Sequence, residues 1–221
     1  MLQTARAVLE KDFRIELRTR DAISAALVFS ILVLVVFNFA LDVNTPEMRR
    51  LAAGFFWVAF AFAGTLALDR SFALEKESGA GRALALAPVD AGGIYLGKCA
   101  ANAAFLFITQ LVALPLFVIF FDVSIQRAGA LAASFALGSI AFAAVGTLFS
   151  AVAANTRMRG LLLPILFLPL SVPALIASVE TTSFALGNAE GPSFWFTLLV
   201  VYDVVFLTAS VLVFEYVLEE S

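Results

Sequence analysis

The sequence predicts an all-α membrane protein with six transmembrane helices, and three observations carry that reading. The chain is 62% hydrophobic and 14% charged over 221 residues, where a soluble domain is nearer half apolar and a quarter charged. Six stretches reach the roughly 20 apolar residues that a helix needs to cross the hydrocarbon core. These runs are continuous, without the two-residue alternation of a β-barrel. A water-soluble enzyme and a disordered chain are both excluded by such a composition. Residues 1–221 read as a single transmembrane domain, with no stretch left over for a soluble catalytic unit.

Two absences narrow the chemistry. There is no histidine, so histidine-based triads, histidine-ligated zinc and axial histidine on haem cannot be built from this chain. One cysteine, Cys99, allows no internal disulfide and no thiolate cluster, and it reads as a small packing residue. A net charge of −3 and a pI of about 5.0 give no reason to expect nucleic acid as a partner.

The first element is an N-terminal helix over residues 1–21. Leu2, Ala5, Leu9, Phe13 and Leu17 recur at helical spacing and form an apolar stripe. Arg6, Glu10, Arg14, Arg18 and Asp21 occupy another face, with Glu10–Arg14 and Glu16–Arg20 at the supportive i,i+4 spacing. Such a helix is expected to lie in the headgroup plane, its basic residues near anionic lipid; the plainer reading is a solvated charge run.

Spans follow at 22–41, 51–68, 100–121, 128–154, 161–179 and 194–217. Eleven Lys and Arg residues lie in the N-terminal segment and the second and fourth loops, against Arg49, Arg50 and Arg127 in the odd loops. By the positive-inside rule both termini are cytoplasmic. The first span has no small-residue cleavage site at its end and reads as an anchor.

The second loop, 69–90, is helical in pattern up to Lys76, breaks at Gly79 and Gly81, resumes with Leu84 and Leu86, and stops at Pro88. Its charged residues are Asp69, Arg70, Glu75, Lys76, Glu77 and Arg82. That is the form of a cytoplasmic docking knob and equally of an ordinary connector. Beyond it, Gly92 to Cys99 matches a phosphate-cradling G-x-x-x-x-G-K run. Cys99 stands where a magnesium-binding hydroxyl belongs and no strand precedes, so nucleotide binding is not expected. Lys98 is expected to snorkel to the interface beside Tyr95.

Ser134, Gly138, Gly146, Ser150 and Ala154 put small residues on one face of the fourth span, for packing within the chain or against a second subunit. Pro164, Pro169 and Pro173 interrupt the backbone bonding of the fifth span and are expected to kink it. A short re-entrant piece is expected at 181–186, before Gly187. Among polar residues inside spans, Asn38, Asn102, Gln110 and Asp203 are the functional candidates. An ionised Asp203 near the midplane costs roughly 2.5–3.5 kcal/mol, so it is expected to face the protein interior. It serves either a structural hydrogen bond or a transport path.

The layout resembles the membrane subunit of an ABC-2-type transporter: interfacial helix, two spans, cytoplasmic knob, three spans, outer re-entrant loop, sixth span. Local runs resemble the haem exporter B (CcmB-type) family of cytochrome c maturation. They are Lys11-Asp12-Phe13-Arg14-Ile15-Glu16-Leu17-Arg18, Trp57-Val58-Ala59, Leu66-Ala67-Leu68-Asp69-Arg70-Ser71-Phe72, Leu84-Ala85-Leu86-Ala87-Pro88, Gly97-Lys98, and residues 162–176. The resemblance covers nearly the whole chain. It implies a non-catalytic permease subunit of a bacterial inner-membrane ABC complex, with ATP bound on a separate ATPase chain and the knob at 69–90 as its coupling helix.

It also implies a haem-handling, tryptophan-rich membrane subunit and a small accessory membrane subunit as partners, with haem handled by the complex and no cofactor bound by this chain alone. The chain itself has only Trp57 and Trp195, so it is not the tryptophan-rich partner. An ABC-2-type permease for lipid, polysaccharide or drug shares the architecture. Docking on Asp69 to Arg82 is expected to push on the second and third spans, with the proline-bearing fifth span yielding.

Overall fold

In the computed structural model, the described residues are 1–41, 45–78, 90–154 and 159–219. They form seven helices: α1 Leu2–Thr19, α2 Asp21–Ala40, α3 Pro46–Ser78, α4 Ala91–Phe121, α5 Ala128–Ala154, α6 Arg159–Ala185 and α7 Ser193–Glu219. The last six each contain a stretch long and apolar enough to cross a membrane. The protein is thus a multi-pass, all-α membrane protein.

The helices alternate in direction. One end of the bundle carries α1, the last turns of α3, α5 and α7 and the first of α4 and α6; the opposite end carries the α2–α3, α4–α5 and α6–α7 connections. In α3 and α5, 67% of the span residues are buried, against 22% in α2 and α7, so the former are central and the latter form the rim. α5 packs on α3, α4, α6 and α7. Aromatic rings fill the space between them. Phe56 stacks on Phe135 at 5.1 Å between centroids, and Phe60 and Phe167 meet Phe142 edge-on at 5.3 Å each.

Two of the spans are longer than the sequence pattern indicates. α4 begins at Ala91, nine residues before the apolar run at 100, and α6 continues to Ala185 rather than ending at 179. The expected re-entrant piece at 181–186 is therefore replaced by the last turn of α6 and the residue after it. The carbonyl of Ala185 is capped from the α4–α5 connection, by the N–H groups of Gln126 (3.1 Å) and Arg127 (3.0 Å). The Arg127 guanidinium donates to Phe184 O at 2.7 Å and lies 4.2 Å from the Phe184 ring centroid. A cation at a helix C-terminus is the favourable partner for its dipole. The chain leaves α6 through Gly187, whose φ of +84° suits glycine.

The small-residue face of α5 serves packing within the chain. A methyl group at Gly138 would overlap the Trp57 indole of α3, and one at Gly146 would overlap Leu68. Ser134 and Ser150 are buried on that face. The side chain of Ala154 lies outside the described residues.

Candidate functional site: the α1 end and the polar residues of the spans

α1 lies against the first half of α4. The glycines of the G-x-x-x-x-G-K run explain how. A Cβ at Gly93 would meet Met1 O at 2.8 Å, and one at Gly97 would press into the Ala5 backbone and Val8. The glycines thus let two helix backbones touch, as small residues do at membrane interfaces. Asp90 caps the start of α4 by accepting from Gly93 N at 3.1 Å.

Lys98 does not snorkel. It is 3% exposed, and its ammonium sits 3.5 Å from Asp12 Oδ2, whose other oxygen is 3.0 Å from Lys11 Nζ. Tyr95 is likewise buried rather than interfacial, donating to Ala144 O on α5 at 2.8 Å.

The buried face of α1 is rotated from the predicted stripe. Val8 and Glu16 are buried, Ala5, Leu9 and Phe13 are half-buried, and Leu2 and Leu17 are exposed. Phe13 packs on Phe105 of α4 at 5.0 Å. The rotation follows from polar partners that a hydropathy pattern ignores. Glu16 does not serve Arg20; its Oε1 accepts from Ile23 N at 2.8 Å, satisfying a first-turn donor of α2. Glu10 pairs with Arg6 at 3.0 Å rather than with Arg14. α1 and α2 meet at Arg20, with φ 57°, so the corner is a single left-handed residue.

α3 extends as one unbroken helix past its span to Ser78, nine residues beyond Asp69. At 1.5 Å per residue that is about 13 Å of helix beyond the span. Asp69 is half-buried at the base of this extension. Arg70, Glu75, Lys76 and Glu77 lie on its helical backbone, and their side chains fall outside the described residues, as does all of Arg82. The six charges expected to dock a partner are thus spread along one helix and the segment after it.

The four polar residues of the spans do not converge. Asn38 donates to Phe120 O, at the end opposite α1. Asn102 donates to Thr147 Oγ1 at 2.9 Å, joining α4 to α5. Gln110 accepts from Ser139 Oγ at 3.4 Å. Asp203 is 5% exposed, as expected for an inward-facing carboxylate, and neither oxygen has a partner among the described residues. The three prolines lie within a single assigned helix, α6. Pro169 and Pro173 are exposed and Pro164 half-buried, while Phe167, Ser171, Ala174 and Ser178 form the packed face. Tyr202 of α7 donates at 3.0 Å to Leu170 O, next to the carbonyl that Pro173 leaves without its helical donor.

A polar cluster at the opposite end was not among the predicted sites. Trp57 Nε1 donates to Thr182 Oγ1 at 2.9 Å, and Ser134 Oγ lies 2.7 Å from Thr181 Oγ1 and 2.9 Å from Thr182 Oγ1. It ties α3, α5 and α6 together. The signal was present as a Thr-Thr-Ser run ending an apolar stretch, a pattern that reads as a loop until its partners are known.

With the architecture in place, comparison with known proteins identifies the family. The family model described as CcmB protein matches residues 3–221. The chain belongs to the CcmB family. Its curated relatives agree with that membership. It is 32% identical over 175 residues to "Heme exporter protein B" of Rhodobacter capsulatus, covering 79% of this chain and 80% of the relative. The protein of the same name from Paracoccus denitrificans is 31% identical over 185 residues, 84% of this chain and 85% of the relative. That of Pseudomonas aeruginosa is 27% identical over 169 residues, 76% of each. CcmB membership gives the α3 extension and the α1 seat a context, because both lie at the same end of the bundle.

Proposed function

We propose that this CcmB-family chain is the transmembrane permease subunit of an ABC transporter complex. The complex acts in haem export, or in release of a haem-loaded chaperone, for cytochrome c biogenesis. The observation that carries this reading is family membership over nearly the whole chain, with relatives named for haem export matched over about four fifths of both sequences. In this reading the glycine run, whose Gly93 and Gly97 seat α1, serves helix packing, ATP is hydrolysed on a separate ATPase subunit, and this chain is non-catalytic.

In this reading the membrane is the bacterial inner membrane and the α1 end is cytoplasmic, as are both termini. The ATPase docks on the α3 extension and the segment after it, through Asp69, Arg70, Glu75, Lys76, Glu77 and Arg82. Because α3 is continuous, a push on the extension is delivered to a central helix of the bundle. Haem is the cargo of the complex, handled with a tryptophan-rich membrane subunit and a small accessory membrane subunit. The exposed arginines of α1 face anionic lipid.

Deletion of the gene, with haem staining of c-type cytochromes, tests the reading. Loss of mature cytochromes, restored by the gene in trans, is the expected result. Full maturation in the deletion strain would assign the chain to another ABC-2-type cargo such as lipid, polysaccharide or drug.

A further inference from the structure

We propose that the seam between α4 and the α2–α3 pair is a buried-water site, holding one or two water molecules inside the apolar bundle. Two cavities lie along it. One, of about 20 Å³, is lined by Glu16, Ile23, Leu68, Asn102, Leu106 and Thr109 among others. The next, of about 10 Å³, is lined by Ser30, Phe56, Phe60, Thr109 and Gln110 among others. Thr109 borders both. A cavity holds a water when it reaches about 10–15 Å³ and offers two to four polar partners. The first therefore takes one molecule, and the second sits at the limit for one.

The donors and acceptors around the cavities call for such a molecule. Gln110 is 1% exposed, and its Nε2 meets no acceptor among the described residues. The hydroxyl protons of Ser30 and Thr109 go to their own helices, at Ala26 O (2.8 Å) and Phe105 O (2.9 Å). Each hydroxyl oxygen keeps acceptor capacity. The smaller cavity is thus bordered by an amide donor lacking an acceptor and two oxygens able to accept. A water accepts from the first and donates to the second.

The larger cavity is bordered by acceptors. Glu16 is 5% exposed and its carboxylate receives one N–H, from Ile23. Asn102 donates one amide proton to Thr147 Oγ1, and its carbonyl oxygen keeps acceptor capacity. A water donating both protons suits that lining, where a second protein donor is lacking. Water-mediated bonds are nearly as favourable as direct ones. They also exchange partners without stranding a buried group, so this seam can shear while its polar groups stay satisfied.

X-ray footprinting of the intact complex in nanodiscs tests the proposal, because radicals born at bound water label the side chains beside it. Leu106 and Phe60 line the cavities; Phe142 and Phe167 are equally buried and line neither. The expected result is labelling of Leu106 and Phe60 several-fold faster than of Phe142 and Phe167. Equal rates at the two pairs would overturn the site. In Gln110→Met the Phe60 rate should fall to that of Phe142, and an unchanged rate removes the second water. The wild-type comparison stands by itself if that variant does not accumulate. No transport activity is read, so the outcome is independent of the cargo.

Discussion

The two ends of the bundle are held together in different ways. At the Arg127 end, α3, α5 and α6 are cross-bonded through Trp57, Ser134, Thr181 and Thr182, and the end of α6 is capped by Arg127. One hydroxyl there, Ser178 Oγ, lacks a partner among the described residues. Toward the α1 end, α1 is seated by an ionic contact between Lys98 and Asp12 and by a carboxylate on an α2 amide, a cavity of about 20 Å³ lies beside that carboxylate, and Tyr95 and Asn102 bond α4 to α5. The Arg127 end is held by neutral side-chain bonds among three helices of the bundle, and the α1 end adds a peripheral helix held by charge. In the proposed function the ATPase acts on the α1 end, and the Arg127 end is the anchor.

The largest effect should come from the docking charges. Reversing Glu75, Glu77 and Arg82 together is expected to abolish cytochrome c maturation while the protein still accumulates in the membrane. Haem staining and immunoblotting read the two quantities. Normal maturation in this variant would break the link between the α3 extension and the proposed ATPase.

Next is the α1 seat. Removing one member of a buried ion pair costs up to about 3–5 kcal/mol, and Asp12 keeps Lys11 at 3.0 Å, so Lys98→Met should lower the thermal midpoint of the detergent-solubilised protein by less than that limit implies. The exchange Asp12→Lys with Lys98→Asp should recover part of it. An unchanged midpoint in Lys98→Met would make the α1 seat as dispensable as a surface contact.

The anchored end should respond less. Gly138→Val forces atoms into the Trp57 ring, and overpacking of this kind costs about 1–3 kcal/mol. The smallest effect is expected for Thr182→Val, which keeps the side chain's shape and removes its hydrogen bonds to Trp57 and Ser134, worth about 0.6–2 kcal/mol each. Trp57→Phe should cost more, because a phenyl ring fills only part of the buried indole's volume, and the double variant should cost less than the sum. Full additivity would mean that Trp57 and Thr182 do not act as a pair.

The spans were legible because a continuous apolar run has one use in a chain of this composition. The start of α4 was not, because Gly92, Gly93, Gly97 and Lys98 resemble loop residues until α1 is seen covering them. Lys98 looked like a snorkelling cation for the same reason: its partner Asp12 is 86 positions away in sequence. The last turns of α6 were hidden by Thr181, Thr182 and Ser183, where Thr181 and Thr182 make bonds that depend on how α3 and α5 are rotated. Asp203 was readable as inward-facing, since a carboxylate has nowhere else to go in a span. Asn38, Asn102 and Gln110 were recognisable as polar, but their partners Phe120, Thr147 and Ser139 were not, because pairing is a tertiary property.

Affinity purification of a tagged copy from native membranes, with mass spectrometric identification of what accompanies it, probes most directly whether an external motor drives this helical bundle. An ABC ATPase in stoichiometric amount, together with a tryptophan-rich haem-handling membrane protein, is the expected outcome. Recovery of the chain without an ATPase, in a preparation that nonetheless hydrolyses ATP, would contradict it.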